Sequence, residues 1–170
     1  MSGAGKSTVA PLLAARIGFD AVDLDETVAR AAGRPVAALF AERGETAFRA
    51  LEAEALAALL ERDPRPGLVI ALGGGALGVP ASRDRLRARA AVIWLRVAPG
   101  TAAGRLGAAG AAARPLLALA GGDAPEGALR ALLAAREATF AGAADAEVET
   151  DGRTPEEVAD EAADRWRGVV

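Results

Sequence analysis

The sequence predicts an α/β fold built on a parallel sheet, and three observations carry that prediction. The chain opens on MSGAGKST, the second half of the phosphate-loop pattern G-x-x-x-x-G-K-[ST], with helical pattern directly behind it. Apolar runs of strand character recur at residues 21–24, 68–72, 91–97 and, more weakly, 146–150. Helical stretches separate each run from the next, which argues for strands that pair in parallel.

The elements follow in order. The loop opens a helix over residues 6–17, with Pro11 near its first turns, where it removes a backbone donor and is expected to bend the helix. The run at 21–24 ends in Asp23-Leu24-Asp25. Helical pattern then continues to Ala32, with Gly33 as its stop. Two further helices are expected over 36–43 and 46–62. LVIAL at 68–72 is wholly apolar, as for a strand buried on both faces, and ends in Gly73-Gly74-Gly75. AVIWLRV at 91–97 is the next strand. Residues 107–122 are rich in Ala and Gly around Arg114-Pro115 and read as a mobile lid. After the strand at 146–150, Thr154-Pro155-Glu156-Glu157 combines an N-cap, a first-position proline and a capping-box glutamate, and starts the last helix. With no internal repeat and no dividing linker, residues 1–170 read as a single domain.

Composition narrows the function. A chain of 170 residues can bury a core, and with 52% hydrophobic but only 4% aromatic residues that core is Ala, Leu and Val packing. A net charge of −3 gives no electrostatic case for nucleic acid. The absence of cysteine and histidine excludes disulfides, thiol nucleophiles, imidazole bases and the metal sites built from either. No signal peptide and no bilayer-length apolar stretch is visible, so a cytoplasmic protein with no membrane partner is expected.

Lys6 is the only lysine; every other basic residue is arginine. A slim ammonium reaches the β- and γ-phosphates as a point charge, which a planar guanidinium does not copy. Gly3 and Gly5 let backbone N–H groups face phosphate oxygens, the helix start adds partial positive charge, and Ser7 has the hydroxyl to hold Mg²⁺. Asp23 and Asp25, two apart at a strand end, would point the same way on a regular strand. One carboxylate could then orient the metal shell and the other accept a proton from an attacking hydroxyl; the alternative is that they cap the next helix. Gly73–Gly75 would let a ligand approach the backbone closely. Arg49, Arg114 and Arg136 are candidates for clamping a carboxylate or phosphate.

Taken in order, GAGKST, DLDETV, GRPVAALFAERGETAFRALE, LGGGA, RPLL and AREATF resemble the shikimate kinase family over nearly the whole chain. The resemblance implies a P-loop NTPase fold of the nucleoside-monophosphate-kinase type, with sheet order 2-3-1-4-5, its first strand absent here. It implies transfer of the γ-phosphoryl of ATP to the 3-hydroxyl of shikimate, a step of aromatic amino-acid biosynthesis, by a monomer with Mg²⁺. Carried onto this sequence, Gly3, Ala4, Gly5, Lys6, Ser7 and Thr8 would bind ATP, and Ser7 and Asp23 the metal. Asp25 would bind the acceptor hydroxyl and act as base. Arg49 and Arg136 would hold the shikimate carboxylate, Gly73, Gly74 and Gly75 would line the ring, and Arg114 would meet the phosphates from the lid. Arg105 and Arg153 fall where the family contacts the nucleotide base.

The sequence departs from the family in four places. The first loop glycine and first strand are missing, Pro11 is unusual, the lid has few polar groups, and Phe140 replaces a common tyrosine. Met1 is therefore expected not to be the natural start, and a slot is expected in the middle of the sheet. The competing functions are another small-metabolite kinase, such as gluconate kinase, and a truncated non-catalytic relative.

Overall fold

Gly5, in the left-handed region at φ 85°, turns the loop into α1 (Lys6–Ile17), and Gly18 closes that helix at φ 72°. The computed structural model describes residues 1–62, 67–112, 114, 117 and 125–170. The helix runs on through Pro11 as one element. β1 (Asp20–Asp23) starts and ends one residue earlier than expected. Its end is set by Asp23, the last strand residue, whose side chain caps α2 (Leu24–Ala32), the carboxylate accepting from the N–H groups of Asp25 and Glu26. Asp25 therefore sits in the first turn of a helix, and the expected same-side pair on one regular strand is replaced by a cap and a helical carboxylate.

The two helices expected over 36–43 and 46–62 are both present, parted by the non-helical Gly44 (φ 75°, ψ 173°), and are labelled together as α3 (Val36–Glu61). β2 (Leu68–Ala71) follows, then a 3-10 turn (Ala76–Gly78), α4 (Pro80–Arg89) and β3 (Ile93–Arg96). α4 has no counterpart in the sequence reading: it is arginine-rich, and it buries only Ser82 and Leu86. α5 (Pro99–Ala112) breaks at Gly107 (φ 60°), where the expected lid begins. Half of that lid, residues 107–122, lies outside the described residues. α6 (Pro125–Ala134), α7 (Glu137–Ala143), β4 (Ala146–Glu149) and α8 (Pro155–Arg167) complete the order. α8 carries the expected capping box between Thr154 and Glu157.

Among the described residues the sheet is in two halves. β1 pairs in parallel with β2, from Asp20 opposite Leu68 to Asp23 opposite Ala71, and β3 pairs in parallel with β4, from Ile93 opposite Ala146 to Arg96 opposite Glu149. Between β2 and β3 lies a cavity of about 640 Å³, lined by Val9 and Leu13 of α1, Leu68–Leu72, Ile93–Leu95 and Ala162 of α8. Leu68, Val69 and Ile70 face it and are only partly buried, so the strand expected to be covered on both faces is not. Around each half a separate core closes. Val148, Leu129, Ala102, Ala159 and Ala162 anchor one, and Leu24, Leu56, Leu86 and Val92 the other. Val28, Leu39, Phe40 and Phe48 join α2 to α3. Each buried Leu, Val or Phe contributes about 1.5–3 kcal/mol. No helix among the described residues is long and apolar enough to cross a membrane.

Candidate active site

The phosphate loop is held by backbone needs that only glycine meets. Gly3 has φ 77°, and a Cβ there would sit 2.8 Å from the carbonyl oxygen of Ala102 on α5. Ala4 is buried in the core beneath the loop, and Thr8 is exposed on α1. The N–H groups of Thr8 and Val9 both donate to the Gly5 carbonyl, at 3.0 and 2.8 Å, and so begin the helical ladder. The N–H groups just before them have no helical acceptor and belong to the positive end of α1, which suits them to an anion. Lys6 Nζ donates to the Met1 carbonyl at 2.7 Å. Burial pulls its pKa down, against the attraction of Asp25 and Asp23. Ser7 Oγ donates to Asp23 Oδ2 at 2.6 Å, while Oδ1 of the same carboxylate accepts from the Asp25 N–H at 2.9 Å. Asp23 thus caps a helix with one oxygen and faces the loop hydroxyl with the other.

Beside the loop, a cavity of about 320 Å³ gathers Asp25, Arg49, Gly73, Gly74, Gly75, Arg114 and Arg136. These come from α2, α3, the turn after β2, the segment after α5, and the residue that caps α7. Burial raises the Asp25 pKa, with the Asp23 charge adding to it and Lys6, Arg49 and Arg114 opposing. Arg49 Nη1 donates to Glu52 Oε2 at 2.6 Å and Nη2 to Glu45 Oε1 at 3.1 Å. Its guanidinium lies 5.9 Å from the Phe40 ring centre and 5.4 Å from that of Phe48. Arg136 Nη1 donates to the Gly74 carbonyl at 3.0 Å. Its pKa is lowered by burial and by repulsion from Arg49, so the two guanidiniums share one low-polarity space. Arg114 Nη1 donates to the Gly110 carbonyl at 2.6 Å. Such a cavity disfavours a second cation and favours an anion.

Gly73 and Gly75 admit the protein's own side chains as well as any ligand, while a Cβ at Gly74 would meet nothing nearer than 3.9 Å. A Cβ at Gly75 would overlap the Arg49 guanidinium. One at Gly73 would overlap Glu52 Oε1 and lie 2.7 Å from Asp25 Oδ1. Their value here is close approach, since none of the three has a positive φ.

Two expected site residues lie apart from this cavity. Arg105 ties the loop to the end of β4, donating to Thr150 Oγ1 at 3.0 Å, to the Thr150 carbonyl and to the Gly3 carbonyl at 3.5 Å. Arg153 is bound by Glu161 and by the Glu149 and Glu157 carbonyls at 3.1 and 2.9 Å. Three residues beyond the sequence reading belong to the site: Phe40, Phe48 and Glu52. Glu52 is buried, its Oε1 has no partner among the described residues, and burial pushes its pKa up. The signal was its position three residues after Arg49 on one helix, where the two side chains must meet.

At the level of class, these features define a P-loop phosphotransferase fold: an anion loop opens α1, and a separate positively charged cavity begins where β1 and β2 end. The comparisons with known proteins make this specific. A family model described as Shikimate kinase matches residues 2–167. The chain is 43% identical to the shikimate kinase of Symbiobacterium thermophilum, covering 93% of this chain and 87% of that one. It is 44% identical to the shikimate kinase of Streptomyces coelicolor, over 95% and 89%. Among solved structures it resembles shikimate kinase from Acinetobacter baumannii in complex with shikimate, with TM-score 0.85 and 31% identity over 94% of this chain and 85% of that one. The chain belongs to the shikimate kinase family.

Proposed function

We propose that this chain transfers the γ-phosphoryl group of ATP to the 3-hydroxyl of shikimate, giving shikimate 3-phosphate and ADP. The observation that carries the reading is the cavity in which Arg49 and Arg136 face a half-buried carboxylate, Asp25, next to the phosphate loop. Shikimate has matching chemistry: one carboxylate for the two guanidiniums and ring hydroxyls for the aspartate. Arg49 is already fixed by Glu45 and Glu52, so little side-chain freedom is lost when it binds.

Asp25 accepts the proton of the 3-hydroxyl as its oxygen forms the new bond to the γ-phosphorus. The bond between that phosphorus and the bridging oxygen breaks, and its electron pair leaves with ADP. The raised pKa of Asp25 makes it a stronger base than an ordinary surface carboxylate. The loop N–H groups and Lys6 hold the phosphates, with Lys6 exchanging the Met1 carbonyl for phosphate oxygen. Arg114 brings positive charge from the lid segment, which excludes water as a competing acceptor. Ser7 and Asp23 fit a hydrated Mg²⁺, since a hydroxyl and a carboxylate already meet at 2.6 Å beside the loop. When bound, that ion supplies charge neutralisation on the phosphates. The protein works as a cytoplasmic monomer, and Arg105 and Arg153 flank the nucleotide base.

Release of ADP is measured with ATP and Mg²⁺ against shikimate and gluconate. Turnover with shikimate alone is expected. Turnover with gluconate alone overturns the acceptor assignment, and ATP binding without turnover of either marks a non-catalytic relative.

A further inference from the structure

We propose that Thr150, directly after β4, is a positioning residue for the nucleotide: it holds the Arg105 guanidinium in one orientation beside the phosphate loop, ready for ATP. The proposal rests on the reading of Arg105 as a contact of the nucleotide base and adds the residue that orients it. Thr150 is 1% exposed, so its hydroxyl must find partners within the protein. It has two. A guanidinium has only donors, so Oγ1 accepts from Arg105 Nη1 at 3.0 Å and gives its own proton to the Arg96 carbonyl at the end of β3, at 2.8 Å. The Thr150 carbonyl accepts from Arg105 Nη2. One residue thus offers two oxygens to two nitrogens of the same guanidinium, which fixes the plane of the group as well as its place.

The surroundings leave that guanidinium free to act. Arg105 is itself exposed, so its edge is gripped while the side chain still meets solvent. Its acceptors are neutral oxygens of Thr150 and Gly3, whereas Arg16, Arg49, Arg96 and Arg153 are each paired with a carboxylate. The neighbouring Asp151 is engaged elsewhere: its Oδ2 accepts from the Ala98 N–H at 2.8 Å, just ahead of α5. The Thr101 hydroxyl, then that N–H, hold its pKa below the usual carboxylate range, with the Arg105 charge the weakest of these influences. The charge on Arg105 therefore stays available for a phosphate or for the face of a base. The same grip reaches the loop. Arg105 Nη1 lies 3.5 Å from the Gly3 carbonyl, and Ala102, three residues earlier on α5, is what leaves Gly3 no room for a Cβ.

The test is calorimetric titration of ATP with Mg²⁺ and, separately, of shikimate into the parent, Thr150→Val, Thr150→Ser, Arg105→Ala and the Thr150→Val/Arg105→Ala double variant. Thr150→Val removes the hydroxyl and keeps the shape, the carbonyl and the N–H bond to the Arg96 carbonyl. It is expected to weaken ATP binding roughly 3- to 10-fold and to leave shikimate affinity within about 2-fold. Thr150→Ser, which keeps the hydroxyl, should restore ATP binding. In the Arg105→Ala background, Thr150→Val should cost ATP nothing further, because the threonine acts through that arginine. Full ATP affinity in Thr150→Val, an equal loss of ATP and shikimate, or an undiminished further loss in the double variant overturns the proposal. Should Thr150→Val fail to fold, Arg105→Lys puts the same question, since an ammonium keeps the charge and gives up the two-oxygen grip. It should weaken ATP binding, and full ATP affinity there overturns the proposal. Full ATP affinity in Arg105→Ala removes the base contact itself and the proposal with it. None of these readouts depends on which acceptor is phosphorylated.

Discussion

Two cavities of the molecule share a wall and differ in nearly everything else. Met1, Gly73, Gly74 and Phe140 border both. The larger, about 640 Å³, is mostly apolar and edged by β2 and β3, each of which has one paired edge among the described residues. The smaller, about 320 Å³, is where Asp25, Arg49, Arg114 and Arg136 converge from separate elements. Size alone would direct attention to the first. Chemistry directs it to the second, because buried like charges and a carboxylate of raised pKa are costly to assemble and are kept where a ligand compensates them. The larger cavity costs packing, and the smaller one costs electrostatics.

If that division is right, changes in the smaller cavity alter turnover and leave stability nearly unchanged, and changes at the larger do the reverse. Replacing Asp25 with Asn should lower kcat by about 10²–10⁴-fold, with ATP affinity and thermal midpoint near those of the parent. Steady-state kinetics beside calorimetry check this, and a variant that keeps full kcat removes Asp25 from the base role.

The next effect belongs to the slot. The Met1 amine is held near 4 in the fold and has an ordinary value of 8.0 when unfolded. Between those values the unfolded chain binds the extra proton. Stability should therefore rise with pH across that window, with a slope approaching about 1.4 kcal/mol per pH unit from this group. Chemical denaturation at several pH values, with and without N-terminal acetylation, reads it. A slope that acetylation leaves intact would assign it to other groups.

The smallest effect lies at a residue that lines neither cavity. Thr154→Ala removes the cap of α8 and should cost about 1 kcal/mol, a drop of roughly 2–4 °C, with kinetics unchanged. Loss of activity there would show that the two functions of the molecule are not separable in this way.

Much of the fold was legible because its signals are local. Thr154 with Glu157 announces a helix start within four residues, and GAGKST announces a loop and helix by spacing alone. α4 was not legible, because its arginines carry no apolar period and its burial comes from neighbours distant in sequence. The shift at β1 has the same origin. Asp23 ends the strand and caps the helix at once, and its carboxylate takes two N–H donors that start α2 where the strand would have gone on. In the site, charged residues in quoted motifs were found, while Glu52 was passed over. Its pairing with Arg49 three residues earlier was legible locally, whereas its burial against Gly73 was not. The split between β2 and β3 among the described residues was expected from a loop motif that shows only its second half, and the partly buried residues of β2 line it.

The central claim is that the smaller cavity holds the carboxylate of the phosphoryl acceptor between Arg49 and Arg136. Calorimetric titration of shikimate and, separately, of ATP into the parent and the Arg136→Ala variant tests it most directly. A charge-assisted contact is worth roughly 1.5–3 kcal/mol, so shikimate affinity should fall about 10-fold or more while ATP affinity stays within about 2-fold. A variant that loses ATP and keeps shikimate would contradict the account.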